Sequence, residues 1–120
     1  MAKRGSAVRL NVTNDNGQVA RLVGGADLVI SLLPAGMHVP VAEECVRQRT
    51  HLVTASYVSE GMRQLHDAAV TQGISLINEV GLDPGMDHMS AMAIIDHVHE
   101  RGGRITHFSS LCGGLPSPPA

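Results

Sequence analysis

The 120-residue sequence has no Trp, one Phe and one Tyr, too few flat side chains for a surface that stacks on bases. Its nine lysines and arginines are scattered without forming a stripe, so no nucleic-acid partner is expected. No apolar run approaches the length that crosses a bilayer, and the N-terminus shows no apolar core of a secretory signal. The expectation is an intracellular protein without a membrane partner. Two cysteines, Cys45 and Cys112, lack metal-type spacing and fall in segments of different character, which favours reduced thiols over a disulfide. No G-x-G-x-x-G follows an opening strand anywhere. What is present is an ordinary globular composition, 43% hydrophobic with a net charge of -2, in a length that suits one domain.

Strand-like and helix-like segments alternate along the chain. Ala7 to Val12 reads as a short strand, and Thr13, Asn14 and Asp15 offer caps to a helix ending near Gly24-Gly25. Leu28 to Leu33 is nearly all apolar without alternation, the pattern of a strand buried on both faces of a parallel sheet, and Pro34 stops it. A helix is expected from about His38 to Arg49, with Glu43 and Glu44 early and Arg47 and Arg49 late. His51 to Ala55 is a further strand. Ser59 caps a helix running to Gln72 with Met62, Leu65 and Ala69 as its buried stripe, and Gly73 ends it.

Ile74 to Ile77 reads as the fourth strand and Asn78 to Gly85 as the loop after it. A helix from Met86 to about Arg101 carries Ala91, Met92, Ile95 and Val98 on one face, with Gly102-Gly103 as terminator, and Arg104 to Cys112 returns to strand. The alternation argues for an α/β fold with a partial doubly wound, Rossmann-type parallel sheet. Ligands of such sheets bind outside the carboxyl ends of the strands. That rule selects the loops at Asn11-Val12-Thr13, Leu33-Pro34-Ala35-Gly36, Thr54-Ala55-Ser56-Tyr57 and Asn78 to Gly85.

The densest motif is Gly81-Leu82-Asp83-Pro84-Gly85-Met86-Asp87-His88, which places two carboxylates and two glycines where a strand hands over to a helix. Asp83 precedes proline, which pushes its backbone out of the helical region, and Gly85 can take dihedrals closed to other residues. Seven histidines invite a metal reading of His88, His97, His99 and His107. The spacing opposes it, because His97 and His99 point to different sides of a helix and no i, i+4 pair with a carboxylate appears.

Asp27 to Pro34, Thr54-Ala55-Ser56-Tyr57, Gly81 to His88 and Cys112-Gly113-Gly114-Leu115-Pro116 resemble, in order and spacing, the saccharopine dehydrogenases. The likeness is greatest to the glutamate-forming saccharopine reductases and to the dehydrogenase half of the bifunctional aminoadipic semialdehyde synthases. The resemblance implies a partial chain. Residues 1–85 would be the later part of a dinucleotide-binding domain without its first strand and Gly-rich turn, and residues 86–120 the start of a second α+β domain for substrate binding and dimerisation. It also implies NAD or NADP as cofactor, a homodimer when complete, and a small-molecule substrate in lysine metabolism. Saccharopine would be oxidised to an imine that water splits to L-glutamate and L-2-aminoadipate 6-semialdehyde. The compartment expected is the cytoplasm, with the mitochondrial matrix as the alternative.

By this resemblance Asp83 and Cys112 are the catalytic candidates, and Ser56, Tyr57, Asp83, Cys112 and Gly113 line the substrate pocket. Leu33, Pro34 and Thr54 belong to the nicotinamide and ribose side of the cofactor, Asn11 and Val12 to the adenine side, and Leu82 also to the cofactor site. The bland alternatives stand beside these roles: Asp83 as a turn carboxylate, Cys112 as a packed thiol, the rest as strand ends. Asp87 reads as a helix cap and His88 as structural. Tyr57 is not a short-chain-dehydrogenase tyrosine, since position 61 is Gly61 rather than lysine. The chain departs from the family at Ala35, where tyrosine is common, and at Asn11, where an acid is usual. No arginine lies in the four loops, so clamps for substrate carboxylates are expected from elsewhere. Two other readings are a non-catalytic regulatory module, which would bind no cofactor, and a related Rossmann reductase acting on another imine.

Overall fold

The computed structural model describes residues 5–113. Helix α1 (Asn16–Gly24) leads into strand β1 (Leu28–Ser31), a 3-10 turn at Ala35–Met37, α2 (His38–Gln48), β2 (His51–Thr54), α3 (Glu60–Gln64), α4 (His66–Gln72), β3 (Leu76–Ile77) and α5 (Met86–Glu100). The three strands form one parallel sheet in the order β1-β2-β3, with Ser31 opposite Thr54 and Val53 opposite Ile77. Helix α2 packs against β1, β2, α3 and α4, so α2 and the α3–α4 pair share one face of the sheet. There Val19, Val23, Val41, Ala42, Cys45, Leu52 and Met62 make the core.

The caps follow the sequence. Ser59 Oγ accepts the Met62 amide at 3.3 Å, and Gly73 takes the left-handed conformation at φ 69° that ends α4. Met62 and Ala69 are buried as expected and Leu65 is half-buried. The helix breaks at Leu65, whose backbone sits at φ -84°, ψ -3° and whose amide bonds back three residues to Met62, a 3-10 tightening between α3 and α4.

Several expectations are corrected. Ala7–Val12 forms no strand: Leu10 and Val12 pack on the core without a backbone ladder. Arg104–Cys112 likewise pairs with no strand among the described residues, and an extended segment without a partner is not a sheet. Gly114-Leu115-Pro116 lies outside the described residues. Strand β1 is not buried on both faces, for Leu28 is 48% and Ile30 65% exposed. The helices of the described residues cover only the opposite face of the sheet. Helix α5 buries no residue, so the face of Ala91, Ile95 and Val98 is half-buried and Met92 exposed. Glu43 and Glu44 lie mid-helix rather than in the first turn of α2. Glu44 is buried there and accepts from Arg47 and Gln48, which holds its carboxyl below the usual range.

Cys45 is fully buried against Leu52, and burial together with the Glu44 charge pushes its thiol up to about 11 from 9.0. A folded-state value above the unfolded one means the neutral thiol is favoured by folding. That contribution is complete below the unfolded value and is lost as pH rises through the folded one. Denaturant titrations between pH 9.0 and about 11 are expected to show stability falling more steeply in the wild type than in Cys45→Ala; parallel slopes would contradict the assignment.

Candidate functional site

The loops after β1, β2 and β3 leave the sheet on the same side because the strands are parallel, and their polar groups bond to one another. Thr54 Oγ1 donates to Asn78 Oδ1 at 3.2 Å, and the Val80 amide donates to Thr54 O at 3.0 Å. The Glu79 amide donates to Ser56 O at 3.0 Å while the Val58 amide donates to Glu79 Oε1 at 3.2 Å. Glu79 makes this reciprocal pair from a left-handed backbone, φ 65°, which a non-glycine residue adopts only where its surroundings impose it.

The loop then closes on itself. The Gly81 amide donates to Pro84 O and the Met86 amide to Gly81 O, both at 2.9 Å, around a cis peptide between Asp83 and Pro84. Gly85 stands at φ 147°, ψ -91°, and a Cβ there would collide with the backbone of Gly81. A Cβ on Gly81 would lie 2.9 Å from Ala55 O. Both glycines are therefore required by close approach. Asp87 Oδ1 accepts the Gly85 amide at 2.9 Å and the His88 ring at 2.7 Å. Those bonds hold its carboxyl below the usual range, and it serves the helix start as its position suggests.

This frame sets Tyr57 and Asp83 side by side, with Tyr57 Oη donating to Asp83 Oδ1 at 3.1 Å. The bond and the negative charge push the Tyr57 phenol upward, so it stays a donor. Ser56, one residue before, bonds the ring of His38 at 2.8 Å. Sequence reasoning named Ser56, Tyr57 and Asp83 but passed over His38 and Glu79. A histidine at the helix start after β1, between Ser31 and Ser56 in the strand-end set, was the available signal for the first. Thr54 is 1% exposed and committed to Asn78, so its hydroxyl acts inside the frame.

Asn11, Val12 and Leu33 line a cavity of about 480 Å³ with Arg9, Leu10, Asp15 and Met37. Asn11 Oδ1 accepts from the Thr13 amide and hydroxyl, and the Asn11 amide donates to Asp15 Oδ2 at 2.8 Å. Apolar walls beside an amide and a carboxylate suit a flat heteroaromatic ring with a polar edge. Pro34 and Leu82 are exposed. Cys112 and Gly113 lie in exposed irregular backbone and are joined to neither group by a hydrogen bond among the described residues. Also among the described residues, no three His, Cys, Asp or Glu side chains are grouped to hold a metal, and no helix is long and apolar enough to cross a membrane.

Residues 2–77 match the model of the saccharopine dehydrogenase NADP binding domain, and residues 81–120 that of the saccharopine dehydrogenase C-terminal domain. The chain is 48% identical over 114 residues to an alpha-aminoadipic semialdehyde synthase of Arabidopsis thaliana, covering 95% of this chain and 11% of that protein. It is 44% identical over 112 residues to the NADP(+), L-glutamate-forming saccharopine dehydrogenase of Saccharomyces cerevisiae, covering 93% of this chain and 25% of that protein. The solved structure of the apo, histidine-tagged L-Glu-forming saccharopine dehydrogenase from that yeast aligns with a TM-score of 0.69 at 41% identity, over 79% of this chain and 21% of the other. The chain thus spans 11% to 25% of the length of these curated relatives.

The glycine frame is testable by itself. Gly85→Ala is expected to lower stability by about 2–4 kcal/mol, strain plus collision. Gly73→Ala, at φ 69° with nothing near its Cβ, is expected to cost only about 1 kcal/mol. Equal losses in urea unfolding would contradict the close-approach account.

Proposed function

This chain belongs to the saccharopine dehydrogenase family, and we propose that it forms part of an enzyme that oxidises saccharopine with NADP to an imine and hydrolyses it to L-glutamate and L-2-aminoadipate 6-semialdehyde. The observation that carries the reading is the Tyr57–Asp83 pair, held by the loops after β2 and β3 beyond the carboxyl ends of the sheet. Asn11 and Val12 would hold the adenine end of the cofactor, and Leu33-Pro34 would support its nicotinamide side. The cofactor, when bound, supplies the hydride acceptor.

The remaining chemistry is proton handling and placement. Saccharopine loses hydride from the carbon beside its secondary amine, and the amine N–H proton must leave for the C=N bond to form. Asp83, with Oδ1 bound by Tyr57, has its second oxygen free to accept a hydrogen bond from that amine and to receive its proton. Water then adds to the imine carbon, and the carbon–nitrogen bond breaks with the electron pair and a proton going to the glutamate nitrogen. A neutral Tyr57 keeps the carboxylate oriented through both stages. Cys112 and Gly113 are proposed to complete the substrate pocket, with the Cys112 thiol as a proton donor.

Following nicotinamide absorbance in the full-length protein tests this. The wild type is expected to reduce NADP only with saccharopine present and to release L-glutamate. Asp83→Asn is expected to lower kcat by about 10²-fold or more, and Tyr57→Phe by less, with the greater part of its effect on saccharopine KM. Cofactor binding with no turnover of saccharopine would replace this substrate by another imine, and no cofactor binding would favour a regulatory module.

A further inference from the structure

His38 opens α2 at 2% exposure and spans two hydroxyls, Nδ1 lying 2.8 Å from Ser31 Oγ and Nε2 2.8 Å from Ser56 Oγ. Ser31 ends β1 and Ser56 follows β2, so one ring ties two strand ends to a helix start. Burial lowers the basicity of the imidazole and keeps it neutral. A neutral ring has one N–H donor and one acceptor nitrogen. Which nitrogen carries the proton follows from Ser31.

Ser31 is 3% exposed, and its hydroxyl has the His38 ring as its partner among the described residues. If Nδ1 carried the proton, the Ser31 O–H would be buried with nothing to donate to, which is costly. Ser31 therefore donates to Nδ1, and the proton sits on Nε2, which donates to Ser56 Oγ. Ser56 receives that bond and keeps its own O–H to give away. It is half-buried beside Tyr57, at the edge of the strand-end loops.

We propose that His38 is a positioning residue that fixes Ser56 as an outward hydrogen-bond donor to an acceptor oxygen of the ligand, either a substrate carboxylate or the carboxamide of the nicotinamide. The ligand's identity rests on the function proposed above; the state of the ring does not. The tautomer alone decides Ser56's polarity.

Long-range proton–nitrogen correlation spectra of the full-length protein carrying isotope-labelled histidine, with His38→Gln to identify the signal, are expected to show a neutral ring protonated at Nε2. A proton on Nδ1, or a doubly protonated ring near neutral pH, overturns the proposal whatever the activity. In steady-state kinetics, Ser56→Ala and His38→Asn, whose short amide reaches Ser31 but not Ser56, are each expected to raise one KM roughly three- to tenfold, the loss of one hydrogen bond. Their kcat is expected to stay within about twofold, and the two changes together to be no worse than one. His38→Gln, whose amide N–H reaches the place of Nε2, restores the KM. A change in saccharopine KM assigns the substrate carboxylate, and a change in NADP KM assigns the carboxamide. Unaltered KM in Ser56→Ala, additive effects, or no rescue by Gln overturns the proposal. Absence of saccharopine turnover in the wild type would defeat the proposed function alone, leaving the spectra to decide His38.

Discussion

The close approach of two loop backbones holds the Tyr57–Asp83 part of the candidate site together. The segment after β3 folds back so tightly that Gly81 meets Ala55 and Gly85 meets Gly81, and neither contact admits a side chain. Once that approach is made, the reciprocal bonds between Glu79 and the Ser56–Val58 segment hold the two loops in register. Thr54 and Asn78 add a further bond beneath them. Tyr57 and Asp83 come from opposite sides of this seam, so their hydrogen bond reads out its geometry. The parallel sheet supplies the platform. Its register sends both loops to the same edge, and the core around Leu52 and Cys45 fixes β2, the strand from which the seam springs.

The two faces of the sheet are unequal. Helices α1 to α4 cover one face, where Leu52, Met62 and Ala69 are buried, while Leu28 and Ile30 stay open on the other. Strands rich in Leu and Ile are built for burial on both faces, and an exposed apolar sheet surface favours association. The site does not depend on that second face, because every residue of the seam lies at or beyond the strand ends. It does depend on α2, whose first residue, His38, links Ser31 to Ser56.

Much of this was legible in the sequence, for identifiable reasons. The β1 segment announced itself by an apolar run stopped at Pro34, and Gly73 and Ser59 by the dihedral and hydrogen-bond needs of helix ends. The Gly81-to-His88 motif stood out because two glycines so near two carboxylates imply backbone crowding, and the crowding is there. Sequence pattern failed where the outcome depends on a partner rather than on local preference. Ala7–Val12 and Arg104–Cys112 have strand composition, yet a strand exists only against another, and none among the described residues pairs with them. The left-handed Glu79 was invisible for a related cause, as its partners are remote along the chain, and His38 at its helix start gave a signal of position but not of burial.

The most direct test of the account is a crystal structure of the full-length protein with NADP and saccharopine bound. The account predicts the nicotinamide beside Leu33-Pro34 and the substrate amine within hydrogen-bond reach of the Asp83 carboxylate, with Tyr57 still on its other oxygen. Ligands bound away from the carboxyl ends of β1 to β3, with Asp83 facing only solvent, would contradict it.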